Sequence, residues 1–449
     1  MAVTDKHPQY IAAQKSWLIM RDAVAGEEQI KQAQTKYLAK SAGMIEAEKQ
    51  GDTTGEIYKA YLSRAQYPLW VQDSLRTMIG LVSKLEPNIV IESSLLKGLI
   101  ENATNDGFGL KQLFIRICSE LLEFGRCGLL VDVDANGVPY FALYDALSII
   151  NWKENSIGGR KDLKLLVLEE QFDNSEDEFG HETRTVHRVL SMDDGALAVR
   201  LFDGSNVEDK TPDLGGNQLP FTPFVFCGAT SNSPDVGTIP LLTMAKAALK
   251  YYQLSADYYQ SLHHTAHPQP WISGLDDDDD DDIISVTGVM TVWSLPPNSQ
   301  CGYLEISGNG IELTKKEMDA QKNSALEAGA KVVDTNTQES GEARRARQDD
   351  QQASLHSIVM CAAAAIEQAI KYAAQWLKLD STKYSFTVEP EFIVQVTDIN
   401  LAKQLYEGAI SGKNSFRTYW EYLMTGKLPA HDYQEEVKRV EIERDNAPL

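Results

Sequence analysis

Apolar residues in the first ninety positions recur at steps of three and four between polar stretches, which predicts helices over 10–24, 27–38, 57–64 and 75–85. A Gly/Thr break at 51–55 separates the second from the third, and Pro87 stops the last. Leu110, Leu113, Phe114, Ile117, Leu121 and Phe124 keep the same spacing, and Gly125 closes that run ahead of a short strand over 128–132. The period then changes to two. Strands are predicted at 163–170, 185–190 and 196–202, separated by turn signals at 134–137, 193–195 and 203–204, with the acidic stretch 174–178 as a solvated hairpin loop.

Helical spacing returns at Leu241, Ala245, Ala248, Tyr252, Ala256, Tyr259 and Leu262, a helix of about 25 residues and roughly 37 Å. The pairs Tyr251/Tyr252 and Tyr258/Tyr259 put aromatic area on more than one face, so this helix should have neighbours on both sides. Strands over 269–273, 289–294 and 302–306 follow around an acidic segment, then a helix over 317–330, a polar loop over 333–340 and a long helix over 342–379. The second half of that helix should pack through Leu355, Ile358, Val359, Ala362, Ile366, Ala369, Ile370, Ala373 and Leu377. The fold class expected is α+β, mainly helical. Such an order suits a chain that repeats around an axis and lines a passage.

Composition narrows the class. With 449 residues, 43% hydrophobic and 24% charged, the chain is of globular type and long enough for two to four domains at roughly 100–200 residues each. The apolar run at 359–366 is short of the ~20 residues of a bilayer span, and the start MAVTDKHPQY has no apolar signal segment, so neither membrane insertion nor export is expected. Cys118, Cys127, Cys227, Cys301 and Cys361 are scattered without a CxxC pair and should be reduced, mostly buried thiols. The net charge of −23 opposes attraction to a polyanion and argues against a protein whose task is to grip nucleic acid. Residues 266–312 contain seven aspartates, Glu305 and Glu312 but no lysine or arginine, so −9 of that charge falls there.

Motif chemistry is sparse. The stretch 408–414 (GAISGKN) has three residues between its glycines and an asparagine after the lysine, where a phosphate loop needs four and a hydroxyl; a helix cap and turn explains it. His263, His264 and His267 could in principle hold zinc, His263 and His267 being four apart, or simply end a helix where positive charge suits its dipole. The run Asp276, Asp277, Asp278, Asp279, Asp280, Asp281 and Asp282 lacks the alternating ligands and turn glycine of a calcium loop; it reads as a solvated segment or a docking surface for a basic partner. Arg344, Arg345 and Arg347 suit either ion pairing with Asp349 and Asp350 or contact with phosphate. No nucleophile elbow, Cys/His pair or dinucleotide fingerprint is present.

Several stretches, taken in order, resemble the portal proteins of tailed bacteriophages. They are 58–68 (YKAYLSRAQYP), 123–132 (EFGRCGLLVD), 149–152 (IINW), 254–268 (LSADYYQSLHHTAHP), 302–308 (GYLEISG) and 326–331 (LEAGAK). The resemblance implies a portal fold: 1–127 the helical part of a wing, 128–233 its β-rich part, 234–265 a first stem helix and 266–312 an acidic clip. It further implies a second stem helix over 313–331, a tunnel loop over 332–341, a long tunnel helix over 342–379 and a crown over 380–449. On that basis the tunnel loop presents Asp334, Thr335, Asn336, Thr337, Gln338 and Glu339, and Lys331, Arg344, Arg345 and Arg347 are candidates for DNA phosphate contact.

The resemblance also implies a ring, usually of twelve subunits, at one capsid vertex, through which double-stranded DNA is packaged and later ejected without sequence recognition. The implied partners are further copies of the chain, the terminase large subunit, head-tail adaptor and tail proteins and the major capsid protein. No enzymatic activity or cofactor is implied. The protein would be made in the bacterial cytoplasm and reside in the virion. Two alternatives remain: another structural component of the virion, such as a neck or scaffold protein, and a metal-dependent hydrolase using the histidines and aspartates.

Overall fold

Local chemistry sets the ends of the first helices. Pro8 at the first helical position and His7, whose Nδ1 accepts the Gln9 N–H at 3.2 Å, start α1 (Pro8–Ala25). Gly26 at φ +97° closes α1 and leads directly into α2 (Glu27–Gln32). The predicted helix over 27–38 is therefore shorter, because Gln34 takes φ +44° and only a 3-10 turn, Gln34–Lys36, follows. An element without a sequence signal is α3 (Ala42–Gln50), where only Met44 is buried and the Ser41 side chain accepts the Met44 N–H. Next come α4 (Glu56–Arg64) and α5 (Trp70–Val82). The last begins earlier than its expected start at Leu75, since Trp70, Val71 and Ser74 are buried against neighbours.

This computed structural model describes residues 2–134, 136–157, 160–173, 179–212, 219–266, 269–274, 298–304, 308–329, 341–390, 399–425, 428–429 and 431–445. It divides into two units, Met1–Pro390 and Glu391–Leu449.

In the first unit β1 (Asn88–Ile91) precedes α6 (Leu110–Phe124), whose six expected apolar positions are all buried. Gly125 ends α6 at φ +70°, and a Cβ there would come within 2.4 Å of the Thr238 carbonyl oxygen, so conformation and space both require glycine. The chain continues through β2 (Arg126–Val133), β3 (Pro139–Asp145), β4 (Ile149–Ile157), β5 (Arg160–Asp173), β6 (Thr183–Asp193), β7 (Ala196–Asp203), β8 (Asn206–Asp209) and β9 (Phe224–Gly228). Strands β4 to β8 form an antiparallel meander in sequence order, and β3-β2-β9 form a second sheet. The predicted turn at 193–195 is a tight hairpin: Asp194 and Gly195 both take positive φ, and Asp193 pairs with Ala196.

The remaining elements of this unit are α7 (Leu242–Ala266), β10 (Gln269–Ser273), β11 (Gln300–Leu304), α8 (Asn309–Glu327), α9 (Gly341–Trp376) and β12 (Tyr384–Thr387). Helix α8 starts before the expected 317, at Asn309, although Asn309 and Gly310 are poor helix formers; the helix as a whole packs along α7. The C-terminal half of α9 lies on β2, β9 and α6, with Val359, Ala362, Ala365, Ile366, Ala369 and Ile370 fully buried. Leu377, expected in this stripe, falls just past the helix end and is only partly covered; Trp376 is buried in its place. By length and composition 354–376 could cross a bilayer, contrary to the sequence expectation; its apolar face is instead occupied by protein. Strand β12 pairs antiparallel with β1, Ile91 opposite Tyr384, and Phe386 meets Phe114 of α6 at 5.8 Å.

The second unit holds α10 (Ile399–Ile410), α11 (Phe416–Thr425) and α12 (Tyr433–Asp445). The end of α10 is a Schellman cap: the Lys413 N–H donates to the Gly408 carbonyl, the Gly412 N–H donates to that of Ala409, and Gly412 takes φ +72°. The glycine-rich stretch 408–414 is thus a helix terminus.

Truncating Ile366 to alanine should lower the stability of the first unit by about 2–5 kcal/mol, because the rigid sheet beneath cannot close the cavity. Denaturant unfolding of wild type and variant measures this; a loss below about 1 kcal/mol would place α9 outside the main core.

Candidate functional site

Helix α7 buries side chains over its first half and little beyond it. Buried side chains run from Met244 to Ala256, and none from Asp257 to Ala266 is buried. Tyr252 is fully enclosed and meets Tyr67 edge-on at 6.2 Å, while Tyr251 packs edge-on against Trp70 at 5.2 Å. Polar contacts fix the helix to the N-terminal helices: Tyr61 Oη donates to Asp257 at 2.6 Å, Arg64 donates to Gln260 at 3.0 Å, and Ser255 Oγ accepts the Gln66 N–H at 2.9 Å. On its other side α7 packs along α8, so the expectation of neighbours on two faces holds. Directly after α7 come β10 and β11, an antiparallel pair with Trp271 opposite Gly302 and Pro270 opposite Tyr303. Trp271 is 42% and Tyr303 58% exposed.

The residues singled out by sequence fall at or beyond the edges of what is described. The seven aspartates 276–282, Lys331 and the loop residues 334–339 lie outside the described residues, as do His267 and the strand predicted at 289–294. Arg344, Arg345 and Arg347 belong to the first turns of α9, with only their backbone described. His263 and His264 sit in the last turns of α7 with ring centroids 5.9 Å apart, and His264 Nε2 lies 2.8 Å from Gln260 Nε2. Among the described residues no three His, Cys, Asp or Glu side chains converge as a metal site would require. Cys118, Cys127 and Cys227 are buried, Cys361 partly so, and Cys301 on β11 is exposed.

Periodicity gave no hint of two clusters of charge in the β-rich part. Arg126 is 1% exposed, with its guanidinium 3.9 Å from the Trp152 ring and 4.9 Å from that of Phe226, and the His7 ring stacks on Trp152 at 3.9 Å. Its three guanidinium nitrogens have no hydrogen-bond partner among the described residues, and burial draws its pKa down to about 10, so it stays a cation at neutral pH. Burial first and then Arg126 also lower the pKa of His7. A single clue lay in the sequence, an arginine directly before the apolar run Cys127–Val131.

The second cluster lines a cavity of about 510 Å3 that includes Glu120, Asp132, Tyr144, Glu170 and Arg188. Arg188 Nε donates to Glu170 at 2.6 Å and Nη1 to Asp132 at 3.5 Å, and Tyr144 Oη donates to Glu170 at 2.5 Å. Burial raises the Asp132 carboxyl above its usual range. Glu120 Oε2 is buried without a partner among the described residues; burial, then Glu123 and Asp145, push this carboxyl up to about 8. A further cleft of about 690 Å3 runs between the strands and α9, where Phe221 stacks on Tyr372 at 4.9 Å. These clusters tie strands and helices together through ion pairs and ring contacts.

Residues 240–377 match a family described as Domain of unknown function (DUF4055). No curated protein matches the chain. Among solved structures, it is similar to a chain from the neck of a native gene transfer agent particle computed with C12 symmetry, with 14% identity, a TM-score of 0.41, and coverage of 80% of this chain and 90% of that one. A chain from the neck of an empty particle computed with C6 symmetry gives 13% identity and a TM-score of 0.40, covering 86% and 93%. A portal protein of the HK97 phage family from Corynebacterium diphtheriae gives 12% identity and a TM-score of 0.32, covering 72% and 92%.

Glu120 makes stability depend on pH. The folded carboxyl keeps its proton up to about pH 8, whereas the ordinary value is 4.5, so its contribution to stability is full below about pH 4.5 and is lost as pH rises through about 8. Glu120→Gln should flatten that fall. Urea midpoints across pH 5–9 check it; parallel profiles for wild type and variant would show that Glu120 is solvated and ordinary.

Proposed function

We propose that this chain is the repeating subunit of a portal-type ring at a virion vertex, a channel through which double-stranded DNA enters and leaves the capsid. The observation that carries this reading is the hairpin α7-β10-β11-α8. Its base is embedded among the N-terminal helices, while beyond Ala256 it leaves Trp271, Tyr303 and Leu313 in water. A monomer gains nothing from such exposure; a heterologous contact repeated around a closed axis covers it in every copy. Of the sequence stretches that resemble portal proteins, residues 254–266 lie on α7, 302–304 on β11 and 326–327 at the end of α8.

Charge supports the same reading. A wall over which a duplex must slide should avoid the many lysine and arginine contacts to phosphate that create tight, salt-sensitive binding, and a net charge of −23 fits passage better than capture. The −8 between the two hairpin helices, from seven aspartates and Glu305, would in a ring concentrate negative potential where the packaging motor, and after it the head-tail adaptor, must dock in turn. The segment 334–339 would act as a tunnel loop, with Lys331, Arg344, Arg345 and Arg347 near the passing phosphates.

Negative-stain images of the purified protein should show rings with an axial hole, and a compact monomer at every concentration would overturn the proposal. A closed oligomer without a hole would favour the neck or scaffold alternative. Replacing the seven aspartates at 276–282 with asparagine should weaken terminase or adaptor binding by tenfold or more at low salt, with the difference shrinking as salt rises; unchanged binding would make the run a solubility element. Deleting 334–339 should leave ring assembly intact and impair DNA retention, and failure of assembly would instead put that segment in the subunit contact.

A further inference from the structure

Helix α11 of the second unit has two unlike faces. Its polar side is held by α12: Glu443 accepts the Phe416 and Arg417 N–H groups at 2.7 and 2.9 Å, and Glu436 accepts from the Ser415 N–H at 2.6 Å and from Thr418 Oγ1 at 2.7 Å. Arg439 bridges to Glu421 at 3.0 Å. The opposite side carries Phe416, Trp420, Leu423 and Met424 at helical spacing, exposed by 47, 62, 38 and 70%. Tyr406 and Ile410 of α10 extend this stripe: the Tyr406 ring meets those of Phe416 and Tyr419, and the two side chains are 45 and 64% exposed. The described residues of this unit bury few apolar side chains, Ala409 and Tyr422, alongside the hydroxyls of Ser415 and Thr418. Such a unit has more apolar surface outside than inside, the reverse of an independent fold.

We infer that the stripe formed by Tyr406, Ile410, Phe416, Trp420, Leu423 and Met424 is a subunit contact, covered by the second unit of an adjacent copy of this chain. The six side chains leave on the order of 600 Å2 of apolar surface in water, close to the ~800 Å2 per partner that a stable interface covers. An area of that size, aromatic at its centre, has the composition of an interface core. The inference rests on the ring proposal, because copies held on one axis present the second unit of one copy to this stripe of the next, a heterologous contact made at high effective concentration.

The test uses the full-length chain. Met424 is a built-in reporter, since an exposed thioether oxidises readily with peroxide and a covered one does not. Sulfoxide formation at Met424, followed by peptide mass spectrometry, should be at least tenfold slower in the assembled oligomer than in protein diluted to monomers. Trp420→Glu with Met424→Glu should shift the concentration for half-assembly upward by tenfold or more in sedimentation, with helix content unchanged, while Trp420→Phe with Met424→Leu should assemble as wild type. Equal oxidation in monomer and oligomer, or protection already complete in the monomer, would overturn the inference while leaving the ring proposal standing. A wild-type chain that never assembles would overturn both.

Discussion

The first unit depends on the burial of one helix face rich in small side chains. The C-terminal half of α9 sets Ala362, Ala365, Ala369 and Ala373 against β2, β9 and α6, and alanine lets a helix approach that surface more closely than leucine would. Two hydrogen bonds fix its position: Ser357 Oγ donates to the Ala229 carbonyl at 3.1 Å, and Asn232 Nδ2 donates to that of Cys361 at 2.9 Å. Elements from opposite ends of the unit then meet around it. β1 pairs with β12, and the Trp17 indole of α1 donates to the Phe124 carbonyl at 3.0 Å.

That scaffold is what makes the hairpin usable. A helix of 25 residues whose buried side chains stop at Ala256 works as an arm, and polar contacts through Tyr61, Arg64 and Ser255 carry its anchoring on to Gln260. Bonds of this kind fix direction, whereas apolar burial fixes depth. An arm held in direction can present the strand pair β10 and β11 at a constant place in every copy, as the proposed ring would demand.

The buried charges follow the same logic of fixing position. Arg126 is buried against the rings of Trp152 and Phe226, and Arg188 is paired with Glu170 and Asp132. Leaving either cation without its surroundings would cost more than the surroundings contribute, so these clusters specify the arrangement of β2, β4, β5, β6 and β9 more than they stabilise it.

The strongly periodic segments were legible in the chain itself. Leu110 to Phe124, the alternation in β7 and the stripe of α9 each have one good face, and a sequence with one good face has few ways to satisfy it. Gly125, Gly195 and Gly412 marked their turns because each takes a backbone conformation that other residues resist. Of the candidate site, the helices on either side of the acidic segment were legible, since period is a local quantity. Tertiary structure alone decided the pairing of β1 with β12, nearly three hundred residues apart, because neither short strand carries a pattern that names its partner. It likewise decided the burial of Arg126, the proton held by Glu120 and the bare stripe of α11, since burial belongs to the whole packing and no spacing along a chain encodes it.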